Sequence, residues 1–148
     1  MSPTDFYIAT DFAKKDVAHV LAERIQLVTP LTLRARWIIN QPAYKDGGLG
    51  GELRDDEASA ARRVAQEDLE DIACSNLFIQ LTSGEKARGG RQVELGYALG
   101  RSLQEKFFTI VVCGPREHAF HYHPHVTHVP DQDQLISWLK GYSAGAGL

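Results

Sequence analysis

Asn76-Leu-Phe-Ile-Gln-Leu-Thr82 and, beyond Ser83 to Arg88, Gly89-Gly-Arg-Gln-Val-Glu-Leu-Gly-Tyr-Ala-Leu-Gly100 decide the fold of this chain. The first segment is an apolar run of strand length. The second is periodic, with Val93, Gly96, Tyr97 and Gly100 recurring on one face of a helix. Strand, glycine loop and helix make the junction that lies, in an open α/β sheet, at the carboxyl edge of the strands, where ligands bind. This reading puts Glu94 in the first helical turn, beside unpaired backbone N–H groups and the positive end of the dipole, which favours its ionised form. A glutamate there can equally serve only to offset the dipole or close a capping box, worth a few tenths to about 1 kcal/mol.

Upstream of that junction, Arg54 to Cys74 reads as a long helix, acidic at its start as the dipole prefers. Ala61, Val64, Ala65, Asp68 and Ile72 fall on one stripe of it, so Asp68 sits among apolar neighbours one turn to either side. An unpartnered buried charge costs several kcal/mol. Either Asp68 faces the sheet for a chemical reason, or the stripe is slightly rotated and Asp68 lies at its margin near Glu67 and Asp71.

Earlier still, Phe6-Tyr-Ile-Ala9 is a short strand, followed by the N-cap residues Thr10 and Asp11 and a helix marked by Val17, Val20, Leu21 and Ile25. Pro30 ends that helix. Leu31 to Ile39 reads as a second strand with one wetter face, from the alternation Leu33, Arg34, Ala35, Arg36, Trp37. Gln41 to Leu53 is a glycine-rich loop in which Tyr44 and Lys45 could reach a ligand or simply face solvent.

Downstream, Lys106 to Cys113 is the most hydrophobic segment and reads as a central parallel strand closed by Gly114-Pro115. His118, His121, His123, His125 and His128 follow without the partners or the helical spacing of a zinc site, so a turn into a short strand at Val126 to Val129 accounts for them better than a metal. Asp131 to Lys140 is a last amphipathic helix, and Ser143 to Leu148 a frayed tail. The order implies a three-layer α/β fold of Rossmann or flavodoxin-like type, with a parallel sheet of about five strands between helices, as one domain over residues 1–148.

With 43% apolar and 24% charged residues the composition is that of a soluble globular protein. A net charge of −3 gives no electrostatic case for binding duplex nucleic acid. The absence of a membrane-length apolar run makes the cytoplasm the expected compartment. Cys74 and Cys113 read as buried, reduced thiols.

Tyr7, Asp68-Leu-Glu-Asp-Ile72, Phe78-Ile-Gln-Leu-Thr82 and above all Gly90-Arg-Gln-Val-Glu-Leu-Gly-Tyr-Ala-Leu-Gly100 resemble the nucleoside 2-deoxyribosyltransferase superfamily, which includes deoxynucleoside 5′-monophosphate N-glycosidases. The resemblance runs from Phe6 to about Leu139. It implies Glu94 as the nucleophile on the anomeric carbon, Asp68 as the acid that assists departure of the base, and Tyr7 as the group that orients Glu94. It further implies that Ala9, Thr10, Asp11, Phe12, Ser83, Arg88, Gly89, Gly90 and Arg91 bind substrate. No metal or cofactor is implied, and relatives complete their sites with a neighbouring subunit, so at least a homodimer is expected.

One departure bears on substrate. In the transferases a further acid that contacts the base lies six residues before the nucleophile, and here that position is Arg88. Ser83, Lys86, Arg88, Gly89, Gly90 and Arg91 offer cations, a hydroxyl and glycine amides that suit a 5′-phosphate. The expectation is therefore an N-glycoside hydrolase or deoxyribosyltransferase acting on a nucleoside or nucleoside 5′-monophosphate through a covalent glycosyl-Glu94 intermediate. A catalytically silent nucleotide-binding or sensing module of the same fold is the alternative.

Overall fold

Leu77–Leu81 is buried at every residue, as expected for a strand covered on both faces, and it forms the middle of a five-stranded sheet. The computed structural model describes residues 5–39, 55–85 and 89–147. In chain order the elements are β1 (Asp5–Ala9), α1 (Lys15–Val28), β2 (Thr32–Leu33), α2 (Arg36–Ile39), α3 (Asp55–Ala73), β3 (Leu77–Leu81), α4 (Gly90–Gln104), β4 (Thr109–Cys113), β5 (Val126–Val129) and α5 (Gln132–Gly145). Short 3-10 turns over Phe12–Lys14 and Ala119–Tyr122 precede α1 and β5.

All strand pairs are parallel, in the order β2-β1-β3-β4-β5. This is the flavodoxin-like order, whose switch point between β1 and β3 opens a crevice at the carboxyl ends of those strands. Tyr7 pairs in register with Phe78 and Ala9 with Gln80, so the two strands present matching residues to that crevice. Helices α1 and α5 pack together on one face, and α3 and α4 lie side by side on the other, against β1. The three-layer α/β arrangement read from the sequence is the one observed.

Three local expectations are corrected. Leu31 to Ile39 is not one strand: only Thr32–Leu33 pairs with β1, and the chain turns into α2. The reason is a contact from far along the chain, since the Asp71 carboxylate accepts both the Arg36 backbone N–H at 2.8 Å and Nε at 2.9 Å, taking up a donor that a further strand pair would have used. Helix α5 continues to Gly145 with Ser143 buried, where a frayed tail was expected. Cys113 is buried, but Cys74 is exposed at the end of α3. In α4 the stripe of Val93, Gly96, Tyr97 and Gly100 faces outward, and Leu95, Ala98 and Leu99 make the buried face.

Gly114 closes β4 at φ +117, where an added β-carbon would lie 2.4 Å from the Thr82 carbonyl oxygen. Only glycine lets the end of β4 come this close to the end of β3. The two strand ends, and with them the loops that leave the sheet, are thereby held together at the carboxyl edge.

Candidate active site

Three elements bring Tyr7, Asp68 and Glu94 together. Tyr7 is fully buried in β1, its ring stacked on Phe78 of β3 with centroids 5.9 Å apart, so the phenol can point only toward the α3–α4 layer. Its hydroxyl donates to Glu94 Oε1 at 3.1 Å. Asp68, on α3, is close enough to perturb both groups electrostatically, and its Oδ1 is shielded from solvent with no hydrogen-bond partner.

Glu94 is the fifth residue of α4, because the helix starts at Gly90 behind the left-handed Gly89. It lies beyond the first turn and receives little help from the unpaired N–H groups. Burial, then the nearby Asp68 carboxylate, hold its pKa well above the usual glutamate range; the Tyr7 hydrogen bond acts in the opposite direction. Helix position is therefore not what favours an ionised Glu94: desolvation works against that form, and the Tyr7 hydrogen bond works for it. Asp68 is pushed up to about 7, chiefly by burial. Burial and the two carboxylates also raise Tyr7, which keeps the phenol protonated as a donor.

Two carboxyl groups raised together in this way retain a proton at neutral pH that neither would hold in water. In the unfolded chain they titrate near about 4. The folded state thus binds more protons between about pH 4 and pH 7, and stability falls as pH rises through that window. Asp68→Asn should match the wild type in stability near pH 4 and exceed it by about 1–3 kcal/mol at pH 8. Urea titrations across that range check this; a difference that does not grow with pH would mean that folding does not bury the charge.

The other residues read from the sequence divide into two groups. Ala9, Thr10, Asp11 and Phe12 leave the carboxyl end of β1, with Ala9 buried, Thr10 and Asp11 half-buried and Phe12 tilted against Trp37 at 6.5 Å. Gly89 and Gly90 open α4, and Ser83 is exposed in the loop after β3. Arg88, like Lys86, Tyr44 and Lys45, lies outside the described residues.

Arg91 differs from its sequence reading, because its guanidinium is buried and already engaged. It donates to the Leu81 carbonyl at 3.1 Å, the Glu85 carbonyl at 3.2 Å and Glu117 at 2.7 Å, and its Nε lies 3.8 Å from Asp11. One side chain therefore joins the loops after β1, β3 and β4 to the first turn of α4. Arg91→Ala would leave Glu117 half-buried without its counter-charge and should cost about 3–5 kcal/mol. Arg91→Lys, with the charge but not the fork, should fall between. Denaturant unfolding of both variants checks the order, and an Arg91→Ala loss below about 1 kcal/mol would place the pair among ordinary surface ion pairs.

Sequence reasoning missed the support beneath this hub. Gln80, buried in β3, donates Nε2 to the Arg91 carbonyl at 2.9 Å and meets His121 Nε2 at 2.6 Å through its Oε1. His121 Nδ1 accepts the Glu117 backbone N–H, which leaves the proton on Nε2 for Gln80. Burial lowers His121 to about 4, so it stays neutral in this role. The available signal was Gln80 itself, the one polar residue in Leu77–Leu81. His118, His125 and His128 meet Gln92, Ser102 and the Gly114 carbonyl, and among the described residues no three His, Cys, Asp or Glu side chains gather as a metal ion requires.

A cleft of about 690 Å³ lies elsewhere, at the β2 edge between Asp5, Arg34, Arg36, Asp71 and Cys74. It includes none of Tyr7, Asp68 and Glu94. Its charged groups are paired with one another, Arg34 to Asp5 and Arg36 to Asp71. The perturbed carboxyl groups make the Tyr7 region the better candidate for chemistry. Among the described residues no helix is long and apolar enough to cross a membrane.

No family model matches the sequence, and no curated protein matches it significantly. Solved structures share the fold, two of them as follows. A conserved protein from Enterococcus faecalis superposes with a TM-score of 0.60 at 14% identity, over 94% of this chain and 98% of that one. The CMP N-glycosidase BcmB from Clostridium botulinum superposes with a TM-score of 0.56 at 12% identity, over 94% of this chain and 100% of that one. At these identities the likeness is one of fold.

Proposed function

We propose that this protein breaks the N-glycosidic bond of a nucleoside or nucleoside 5′-monophosphate by double displacement through a glycosyl ester on Glu94. The observation that carries the reading is the pairing of Glu94 with a buried phenol donor at 3.1 Å beside a second carboxyl that holds its proton up to about pH 7. Departure of a base leaves an oxocarbenium-like sugar, which a carboxylate stabilises and then captures. The fold shared with a CMP N-glycosidase supports the same reading.

In the first step a Glu94 oxygen bonds to the anomeric carbon, the carbon–nitrogen bond breaks, and its electron pair leaves with the base as that nitrogen takes the Asp68 proton. Tyr7, donating to Glu94, favours the ionised form of the nucleophile and fixes its direction. In the second step Asp68, now a carboxylate, takes a proton from water as the water oxygen attacks the anomeric carbon and releases Glu94. A second base in place of water makes the protein a transferase.

Residues Ala9 to Phe12 border the crevice on the β1 side, and the amides of Gly89 and Gly90 with the Ser83 hydroxyl are suited to the 5′-phosphate end. Arg91 enters this reading as the support of that end, since its donors already face Leu81, Glu85 and Glu117.

Incubation with a panel of nucleosides and 5′-monophosphates, with and without an acceptor base, followed by chromatography of the products, tests the proposal. Release of free base supports a hydrolase, and base exchange a transferase. Binding of a nucleotide without product across the panel would point to a silent sensing module instead.

A further inference from the structure

Gln80 is the one polar side chain in a strand buried along its whole length, and both it and His121 are fully shielded from solvent. Burying an amide against an imidazole costs free energy that a leucine in the same place would not. Hydrogen bonding offsets that cost, but replacing both partners of such a pair by apolar groups of the same shape is nearly neutral for stability. Stability alone therefore does not explain the pair.

The hydrogen bonds through it run in one direction. The Glu117 N–H donates to His121 Nδ1 at 2.9 Å, His121 Nε2 meets Gln80 Oε1 at 2.6 Å, and Gln80 Nε2 donates to the Arg91 carbonyl at 2.9 Å. With Nδ1 accepting, the neutral ring carries its proton on Nε2, and that proton decides which way round the Gln80 amide sits. A reversed amide would set its NH2 against the His121 N–H and its oxygen against the Arg91 carbonyl.

The relay ends where Glu94 is held. A helical carbonyl points toward the residue four positions ahead, so the Arg91 oxygen lies beside the backbone of Glu94 and Leu95. Gln80 is two residues from Phe78 on β3 and shares its face of the sheet. On that face the Tyr7 ring stacks with Phe78, and the Tyr7 hydroxyl donates to Glu94 at 3.1 Å. The start of α4 is thus gripped from two neighbouring strands, by Gln80 of β3 through the helix backbone and by Tyr7 of β1 through the Glu94 carboxyl.

We infer that Gln80 and His121 are positioning residues for Glu94: the relay from the loop after β4 fixes the rotation and depth of the first turn of α4 on β3, so that the Glu94 carboxyl meets the Tyr7 hydroxyl. Both act through the helix rather than on substrate. The kinetic consequences rest on the role proposed above for Glu94. One consequence is independent of any reaction: the Tyr7 hydrogen bond favours ionised Glu94, so loosening it must raise the pH at which the carboxyl pair titrates.

Gln80→Met, which keeps the length of the side chain and removes the donor, tests the inference. It should lower kcat by roughly 10- to 100-fold and change KM by less than about threefold, since a misplacement of about 1 Å at a reacting centre costs up to about 10²-fold. Tyr7→Phe should cost much less in this background than in the wild type, because the two contacts act on one carboxyl. Carboxyl carbon-13 NMR should show Asp68 and Glu94 titrating at higher pH in Gln80→Met. An unmoved titration, or additive kinetic losses, overturns the inference and leaves the reaction to stand on the turnover of the wild type. A wild type without N-glycoside turnover, whose titration nevertheless rises in Gln80→Met, removes the reaction and keeps the grip on Glu94. Should Gln80→Met fail to fold, Gln80→Met/His121→Phe, which takes away both partners, is read in the same way. In the unsubstituted protein, nitrogen-15 NMR should find His121 as the Nε2–H tautomer at neutral pH. An Nδ1–H tautomer overturns the inference without any substitution, since His121 would have no proton for Gln80.

Discussion

Glu94→Ala should lower turnover by roughly 10³- to 10⁶-fold, the range seen when a covalent nucleophile is removed. The fold should survive, because the Glu94 carboxyl is buried against its electrostatic preference, held well above its usual range by desolvation and by Asp68. Removing it relieves a cost and takes nothing from the apolar core. Glu94→Gln is the stricter variant. Its amide oxygen can still accept from Tyr7, so the 3.1 Å contact is retained while the nucleophile is lost. Both proteins should therefore be equally inactive and at least as stable as wild type. Acid-quenched wild type incubated with substrate should carry a sugar adduct on the peptide containing Glu94, absent from Glu94→Gln. Near wild-type turnover in either variant rules out the double displacement.

The parts of the fold that the sequence makes legible are those governed by local patterns. Apolar runs of strand length marked β1, β3 and β4, and Asp68 on an apolar stripe of α3 announced a carboxyl group in the wrong surroundings for stability. What was illegible depends on partners distant in the chain. Arg36 turns the chain into α2 because Asp71, 35 residues later, accepts its backbone N–H. Arg91 resembles a free cation until Glu117, 26 residues on, is placed beside it.

The misreading of Glu94 is of another kind. Its position near a helix start predicts an ionised carboxylate, whereas the helix begins only at Gly90 and the carboxyl is desolvated beneath α3. Burial outweighs what remains of the dipole by the second turn. Likewise, the periodicity of Val93, Gly96, Tyr97 and Gly100 correctly identified a helix, but the pattern alone does not say which of two apolar faces meets the sheet. The tightly packed small residue Ala98 belongs to the face that does.

Asp68→Asn should reduce turnover by about 10²- to 10⁴-fold for substrates whose base is a poor leaving group, the usual worth of a positioned general acid. With a leaving group acidic enough to depart as an anion, the loss should be small. The asparagine keeps the size of the side chain and one acceptor but has no acidic proton for the departing nitrogen, so the sensitivity of rate to leaving-group acidity should steepen in the variant. The pH profile gives a second reading of the same proton. Asp68 is raised to about 7, chiefly by burial, so the proton needed for leaving-group departure is present below that pH and lost above it. In the wild type kcat/KM should therefore fall as pH rises through about 7, and this alkaline limb should be absent from Asp68→Asn. Because the two carboxyl groups titrate together, the limb belongs to the pair, but only the variant lacking the acid can lose it. Equal losses for good and poor leaving groups, with the alkaline limb retained, would make Asp68 a residue that holds the base and would move the acid to another group.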